Sequence, residues 1–199
     1  MAEHYFSNNP TSKSDRKRWN FTLRGTSFSF LSDYGVFSKS EVDFGSRLLI
    51  EAFQAPQAEG NFLDVGCGYG PIGLALAKEF ADRRVDMVDV NERALELAKE
   101  NAVLNKVANV SIFQSNVYEN VSGPYAAILS NPPIRAGKQV VHEILERANE
   151  YLAPEGELWI VIQKKQGAPS ALAKLEEVYP FVEVVEKKKG YYIIKSKKR

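Results

Sequence analysis

The 199-residue chain is short of several things, and each shortage narrows what it can be. It has one cysteine, Cys67, so no internal disulfide can form, and a lone thiol between two glycines lacks the companions of a metal site. As a residue type, Cys67 reads as a small side chain in a tight turn. No run approaches the ~18 apolar residues of a membrane span. The N-terminus, MAEHYFSNNPTSKSDRKRW, is polar where a signal peptide has an apolar core. A soluble, cytoplasmic protein is expected, in which the Asn-x-Ser/Thr triplets at Asn20, Asn109 and Asn120 carry no meaning. The two histidines, His4 and His142, have no evident partner in sequence, and there is no repeat and no linker rich in proline or serine. The length suits one α/β domain with a short extension.

A net charge of one sign is missing too, since the total is only +1. The balance hides a segregation. Residues 1–24 carry five Lys/Arg against Glu3 and Asp15, and residues 187–199 carry seven Lys/Arg and no acid, which leaves the body between them strongly acidic. An acidic body with basic ends offers a polyanion a local docking surface without making the chain basic overall. A solvated tail has the same composition as the terminal KSKKR.

What the chain does have is a regular alternation. WNFTLRG and TSFSFLSD are β-rich runs meeting at Arg24-Gly25, which predicts a hairpin. EVDFGSRLLIEAF follows as an amphipathic helix, with its cap expected at Ser40 or Lys39. Strands are predicted over 61–65, 84–90, 109–113, 125–130, 156–163, 181–188 and 191–196, with helices beginning near Pro71, Glu92, Lys138 and Pro169. Only Lys189-Gly190 separates the last two strands, so they form an antiparallel hairpin. The expected fold is α/β: a seven-stranded, mostly parallel sheet with helices on both faces and an antiparallel C-terminal hairpin. Residues 1–40 are read as an N-terminal extension with a β-hairpin and 41–199 as the main domain.

Such sheets bind ligands beyond the carboxyl ends of their strands, where strand order reverses. The first strand of the alternation leaves into LDVGCGYGPIG. Gly66, Gly68 and Gly70 allow sharp turns and bring main-chain N–H groups close to a ligand, and Pro71 suits a first helical turn. Asp64 can accept from loop amides or from a ligand ammonium. Asp89 ends the next strand, where a carboxylate takes both hydroxyls of a ribose. GYGPIG also matches the dinucleotide fingerprint, but its first glycine should leave the strand directly, and here Asp64-Val65-Gly66-Cys67 precedes it. Nor is there room after the fourth strand for a dehydrogenase's substrate domain.

With the glycine loop, the acid ending the second strand and SNPP at 130–133, residues 60–196 resemble the class I S-adenosylmethionine-dependent methyltransferases, which have a Rossmann-like fold. GVFSKSEVDFGSRLL (35–49), LDVGCGYGPIG, SNV (115–117), SNPP and Gly137 extend the resemblance over nearly the whole chain, to the catalytic half of the small-subunit (16S) ribosomal RNA guanine-N2 methyltransferases. The resemblance implies that Asp64, Gly66, Cys67, Gly68 and Gly70 line the methionine end of S-adenosylmethionine. Asp89, with Val90 beside it, holds the ribose, and Asn116 meets the adenine. Phe37, Ser38, Lys39 and Asp43 close over the cofactor or the incoming base. It also implies an RNA substrate, with no metal and no membrane, and a monomer or homodimer. The chain departs from the family twice. Fuller members carry a degenerate second copy of the domain ahead of the catalytic one, where this chain has about 40 residues, and Ile134 stands where amino-methylating enzymes usually have an aromatic residue.

The amine on guanine is a poor nucleophile because its lone pair is delocalised, so an enzyme must chiefly aim that pair and stabilise charge on the nitrogen. The side-chain oxygen of Asn131 and the carbonyl of Pro132 can each accept one N–H. Pro132 biases Asn131 towards an extended backbone and Pro133 fixes the next φ. Asn131, Pro132 and Pro133 are therefore the candidate catalytic residues, and Asn131 also adjoins the cofactor. Ile134 offers an apolar platform. Arg135, Lys138 and Lys164, with Gln163 and Lys165, are candidate contacts to the substrate's phosphates. Two alternatives stay open: methylation of adenine N6 or of a protein glutamine, and a non-catalytic module that binds cofactor or RNA.

Overall fold

The computed structural model describes residues 13–34 and 40–199. The chain opens with β1 (Lys17–Leu23) and β2 (Thr26–Ser32), an antiparallel hairpin. Its turn at Arg24-Gly25 has positive φ at both residues (50° and 74°), the twist that suits a two-residue hairpin loop. Helix α1 (Phe44–Ala52) follows, then β3 (Asn61–Val65), α2 (Pro71–Glu79), β4 (Val85–Asp89), α3 (Glu92–Leu104), β5 (Val110–Gln114) and β6 (Tyr125–Ser130). The second half is α4 (Lys138–Tyr151), β7 (Leu152–Gln163), α5 (Ala168–Val178), β8 (Phe181–Lys188) and β9 (Tyr191–Lys197).

Two boundaries differ from the sequence reading by more than one residue. Helix α1 is capped by Asp43, whose carboxylate accepts from Ser46 N–H at 3.0 Å, and not by Ser40 or Lys39. The helix begins only at Phe44, so the residue directly before it, Asp43, takes the cap. Strand β7 starts four residues before the expected Gly156. Its first residues pair with Tyr125 and then shift register, so that Pro154 and the left-handed Glu155 (φ 64°) are absorbed at an irregularity.

The large sheet has the order β5-β4-β3-β6-β7-β9-β8. Every pair is parallel except those made by β9 with β7 and β8. From β3 the chain works outward to β5 and then returns to lay β6 against the other side of β3. Strand order thus reverses between β3 and β6, whose ends Val65 and Ser130 are in register. Both faces are covered, which is why YAAILS is buried at every position. One core holds Phe62, Leu129 and Trp159 with α1, α2 and α3, and the other holds Leu63, Ile128 and Ile160 with α4 and α5. The N-terminal hairpin buries Leu23, Phe28 and Phe30 in the first of these cores.

Two asparagines one helical turn apart, Asn101 on α3 and Asn105 at its C-cap, hold that hairpin. Asn101 accepts from Leu31 N–H (2.7 Å) and donates to Leu31 O (3.1 Å), while Asn105 makes the same pair of bonds with Ser29 (2.9 and 2.8 Å). Their amides act as a neighbouring strand would, satisfying alternate residues of β2. Asn101 also donates to Tyr69 O at 2.9 Å, which links the hairpin to the glycine loop.

Helix α2 approaches β4 so closely that a Cβ on Gly73 would lie 2.6 Å from Cγ and Sδ of the fully buried Met87. Gly73→Ala should therefore lower stability by about 1–3 kcal/mol through overpacking. Urea unfolding of G73A checks this, and pairing it with the smaller Met87→Ala should make the two changes less than additive.

Candidate functional site

The reversal of strand order brings the ends of β3 and β6 together, and the chain leaves both abruptly. After Val65, Gly66, Gly68 and Gly70 all have positive φ (73°, 58° and 104°), so the loop reverses direction within a few residues and delivers the chain to α2. Gly66 and Cys67 N–H both donate to Val88 O at 2.9 Å, which binds the loop to β4. A Cβ placed on Gly66 would meet nothing within 4 Å, so there is open space beside the loop. Cys67 is buried, and burial, with the charges of Asp89 and Asp64, holds its thiol well above the usual range. It contributes backbone, not a nucleophile.

Two buried carboxylates support the loop. Asp89, at the end of β4, accepts from Gly68 N–H at 2.8 Å through Oδ2 and from Asn91 N–H at 2.9 Å through Oδ1. Asp64, fully buried at the end of β3, accepts from Gly73 N–H at 2.9 Å through Oδ2, but its Oδ1 has no hydrogen-bond partner among the described residues. Burial raises its pKa to about 7, the Gly73 amide opposes that rise and the charge of Asp89 adds to it. A carboxylate oxygen kept from water and left unpartnered suits a cationic donor, such as a ligand ammonium.

At the end of β6, Ser130 is fixed by donating to Val65 O at 2.9 Å, and Asn131 follows. The side-chain nitrogen of Asn131 donates to Asp43 Oδ2 at 3.1 Å and to Ser46 Oγ at 3.0 Å. An ionised carboxylate can only accept, so the atom facing Asp43 must be the NH2, and the Asn131 oxygen is turned away from α1. Asp43 therefore does two things with one oxygen: it caps α1 and orients the Asn131 amide. Pro132 is buried, Pro133 and Ile134 are half-buried, and Ile134 lines a cavity of about 230 Å³ with Lys138, His142, Ile162, Gln166 and Ser170.

The other expected residues fall around this edge. Val90 follows Asp89 and its carbonyl accepts from Gln114 at 3.1 Å. Asn116 is exposed in the loop after β5, which is tied to β4 by Ser115 N–H donating to Asp89 O at 3.1 Å. Arg135, Lys138 and Lys164 are exposed on the same edge of the sheet. Phe37 and Lys39, like Ser38, lie outside the described residues. Sequence reading missed the task of Ser46, and it missed Asn91, whose side chain caps α3 at Ala94 N–H (3.0 Å). An Asn directly before ERALELA is a legible capping signal for the second; nothing in the sequence marks the first.

The sequence profile of a family described as the methyltransferase small domain matches residues 27–195. The chain is 62% identical to the uncharacterized protein YbxB of Bacillus subtilis (strain 168) over the full length of both. It is 37% identical to ribosomal RNA small subunit methyltransferase C of Aeromonas hydrophila, over 68% of this chain and 40% of that one. In structure it resembles the T. thermophilus 16S rRNA N2 methyltransferase in complex with AdoMet and guanosine, with a TM-score of 0.83 at 24% identity, over 96% of this chain and 52% of that one. The chain thus spans about half the length of the ribosomal RNA methyltransferases it matches.

The burial of Asp64 sets a dependence of stability on pH. Its pKa rises from 3.8 unfolded to about 7 folded, so the folded chain binds the proton more tightly than the unfolded chain does. Between those values the unfolded state loses its proton first, and the contribution of Asp64 to stability falls as pH rises, reaching its floor above pH 7. Asp64→Asn should therefore gain stability relative to the unsubstituted chain from pH 4 to 7, at about 1.36 kcal/mol per unit of pKa difference. Urea midpoints of both proteins across that range test it; a pH-independent difference would refute it.

Proposed function

Since the chain belongs to the methyltransferase small domain family, we propose that it methylates the exocyclic N2 of a guanine in small-subunit ribosomal RNA, with S-adenosylmethionine as donor. The unpartnered Oδ1 of Asp64 and the open space beside Gly66 fit the ammonium and methionine end of that cofactor. The carboxylate of Asp89 at the end of β4 fits its ribose, and Asn116 its adenine. When bound, the cofactor supplies a methyl group already activated on a sulfonium.

The observation that carries the reading is the orientation of Asn131. With its NH2 held by Asp43 and Ser46, its oxygen is free to accept one N–H of an incoming amine, and the Pro132 carbonyl accepts the other. Two acceptors on the N–H bonds leave the amine's lone pair aimed away from them, and they favour the positive charge that grows on nitrogen as the new C–N bond forms. No base is needed before that bond forms, because the resulting ammonium readily gives its proton to water. Half-buried Ile134 supplies an apolar wall for the base where relatives of this chemistry commonly stack an aromatic ring. The 37% identity to a ribosomal RNA methyltransferase favours guanine in RNA over adenine N6 or a glutamine amide.

Incubation with methyl-labelled S-adenosylmethionine and unmethylated small-subunit particles, naked 16S RNA, DNA or protein, followed by digestion, should recover label as N2-methylguanosine; label in N6-methyladenine or methylglutamine would overturn the substrate. Asn131→Ala should bind cofactor normally and lose about 10²–10³ in turnover, the loss typical of one transition-state acceptor or donor. Asp43→Ala should cost about 1 kcal/mol of stability as a lost cap. It should also lower kcat about tenfold, the worth of one hydrogen bond to a charged group. Asp43→Asn, which still caps and accepts, should restore most of that turnover. A kcat unchanged in D43A would refute the orienting role.

A further inference from the structure

The seven cations of residues 187–199 read in sequence as one basic tail, but the fold divides them. Tyr191 is in register with both Lys188 and Gln163, and Lys164 N–H donates to Gly190 O at 2.8 Å. The tip of the β8–β9 hairpin, Lys187, Lys188 and Lys189, is thereby set beside Lys164 and Lys165 at the carboxyl end of β7. That is the end of the sheet at which Asn131 leaves β6. The rest of the run travels back to the opposite end, where Lys197 is in register with Glu157.

The two groups differ in how their charge is met. At the far end, Lys195 pairs with Glu183 at 2.9 Å, Lys197 pairs with Glu155, and Lys198 donates to the carbonyls of Asn149 (2.7 Å) and Leu152 (3.0 Å). At the site end, Lys164, Lys165 and the three lysines of the tip are all exposed, and none forms a salt bridge among the described residues. Glu186, the acid next to the run, makes none with it either. Arg135 and Lys138 continue the cationic edge past Asn131. Crowded like charges on neighbouring strands oppose folding, and no salt bridge among the described residues offsets these lysines. A polyanion would.

Aromatic rings lie among these cations. Lys189 Nζ sits 4.9 Å from the centre of the Phe44 ring, Phe44 packs on Tyr191 at 5.4 Å, and Lys187 Nζ is 4.7 Å from the centre of the Tyr192 ring. Phe44 directly follows Asp43, which orients Asn131, so the hairpin tip touches the same helix end as the proposed amine acceptor. At about 4.8 Å between strands, β9 and β8 lie about 10 and 15 Å across the sheet from β6.

We propose that the β8–β9 tip and the lysines leaving β7 form the ridge on which the RNA backbone docks, holding the strand a few nucleotides from the base at Asn131. The proposal rests on the RNA reading above. The ridge contacts phosphates, which fix register and orientation without reading sequence, and it supplies from within this domain a cationic surface for a substrate far larger than the site.

The test uses the full chain and 16S RNA transcribed in vitro, which carries no methyl groups. Binding is measured at several KCl concentrations for the unsubstituted protein, for K187Q/K188Q/K189Q, and for K195Q/K197Q, which removes charge at the far end. The tip variant should lower the slope of log affinity against log salt by about 2, at ~0.7–0.9 for each phosphate no longer neutralised. It should raise KM for RNA while leaving cofactor affinity unchanged, and the far-end variant should keep the original slope. Equal reductions of slope in the two variants would make the effect one of net charge and overturn the ridge. If the unsubstituted protein methylates RNA and the tip variant binds it with unchanged slope, the ridge alone falls. If the unsubstituted protein binds cofactor but neither binds nor methylates RNA, the RNA reading falls and the ridge with it.

Discussion

Everything at the functional edge depends on carboxylates placed where strands end and water does not reach. Asp64 and Asp89 close β3 and β4, and each holds part of the glycine segment by a backbone N–H, Gly73 for one and Gly68 for the other. Three glycines of that segment have positive φ and no side chain with which to brace its path. The acids supply the bracing from below. Electrostatically the arrangement is unfavourable on its own, since both are buried and Asp89 raises the pKa of Asp64 further. A group that carries positive charge into the site relieves what the fold leaves unsatisfied, so the same interaction that shapes the loop prepares it for a ligand.

A third carboxylate works differently. Asp43 is half-buried at the start of α1 and reaches across to the end of β6. It converts an amide with two interchangeable-looking ends into one with a defined direction. Helix α1 is kept in place by close packing on β9, since a Cβ on Gly45 would lie 2.9 Å from the Tyr191 ring. The orientation of Asn131 is thus set by contacts among three elements distant in sequence: α1, the end of β6 and the start of β9 in the C-terminal hairpin.

The elements were legible in the sequence where their signals are local. Strand and helix alternation, the hairpins at Arg24-Gly25 and Lys189-Gly190, and the parallel sheet with an antiparallel end all follow from periodicity and turn residues. Asp64, the glycines, Asp89 and SNPP could be found the same way, because each sits at a strand end and such ends face ligands in this topology. What could not be read was pairing at a distance. Asn101 and Asn105 look like poor helix residues in ENAVLN, and only the structure shows them completing the edge of β2. Ser46 looks like an ordinary residue of a first helical turn, yet it holds Asn131. Likewise, the bidentate use of Asp89 by backbone amides has no signature beyond the acid itself.

The basic C-terminal run makes the same point about charge. Counted along the sequence it is one block of seven, and a block of that kind suggests a flexible arm. An antiparallel hairpin allows no such unity, since residues on either side of its turn diverge at about 3.4 Å per residue. By Lys197 the chain has crossed the sheet, and its cations meet acids and carbonyls there. The lysines at the turn stay at the edge that Asn131 occupies. Topology therefore turns a compositional feature into a positional one, with lysines in salt bridges at one end of the sheet and lysines without one among the described residues at the other.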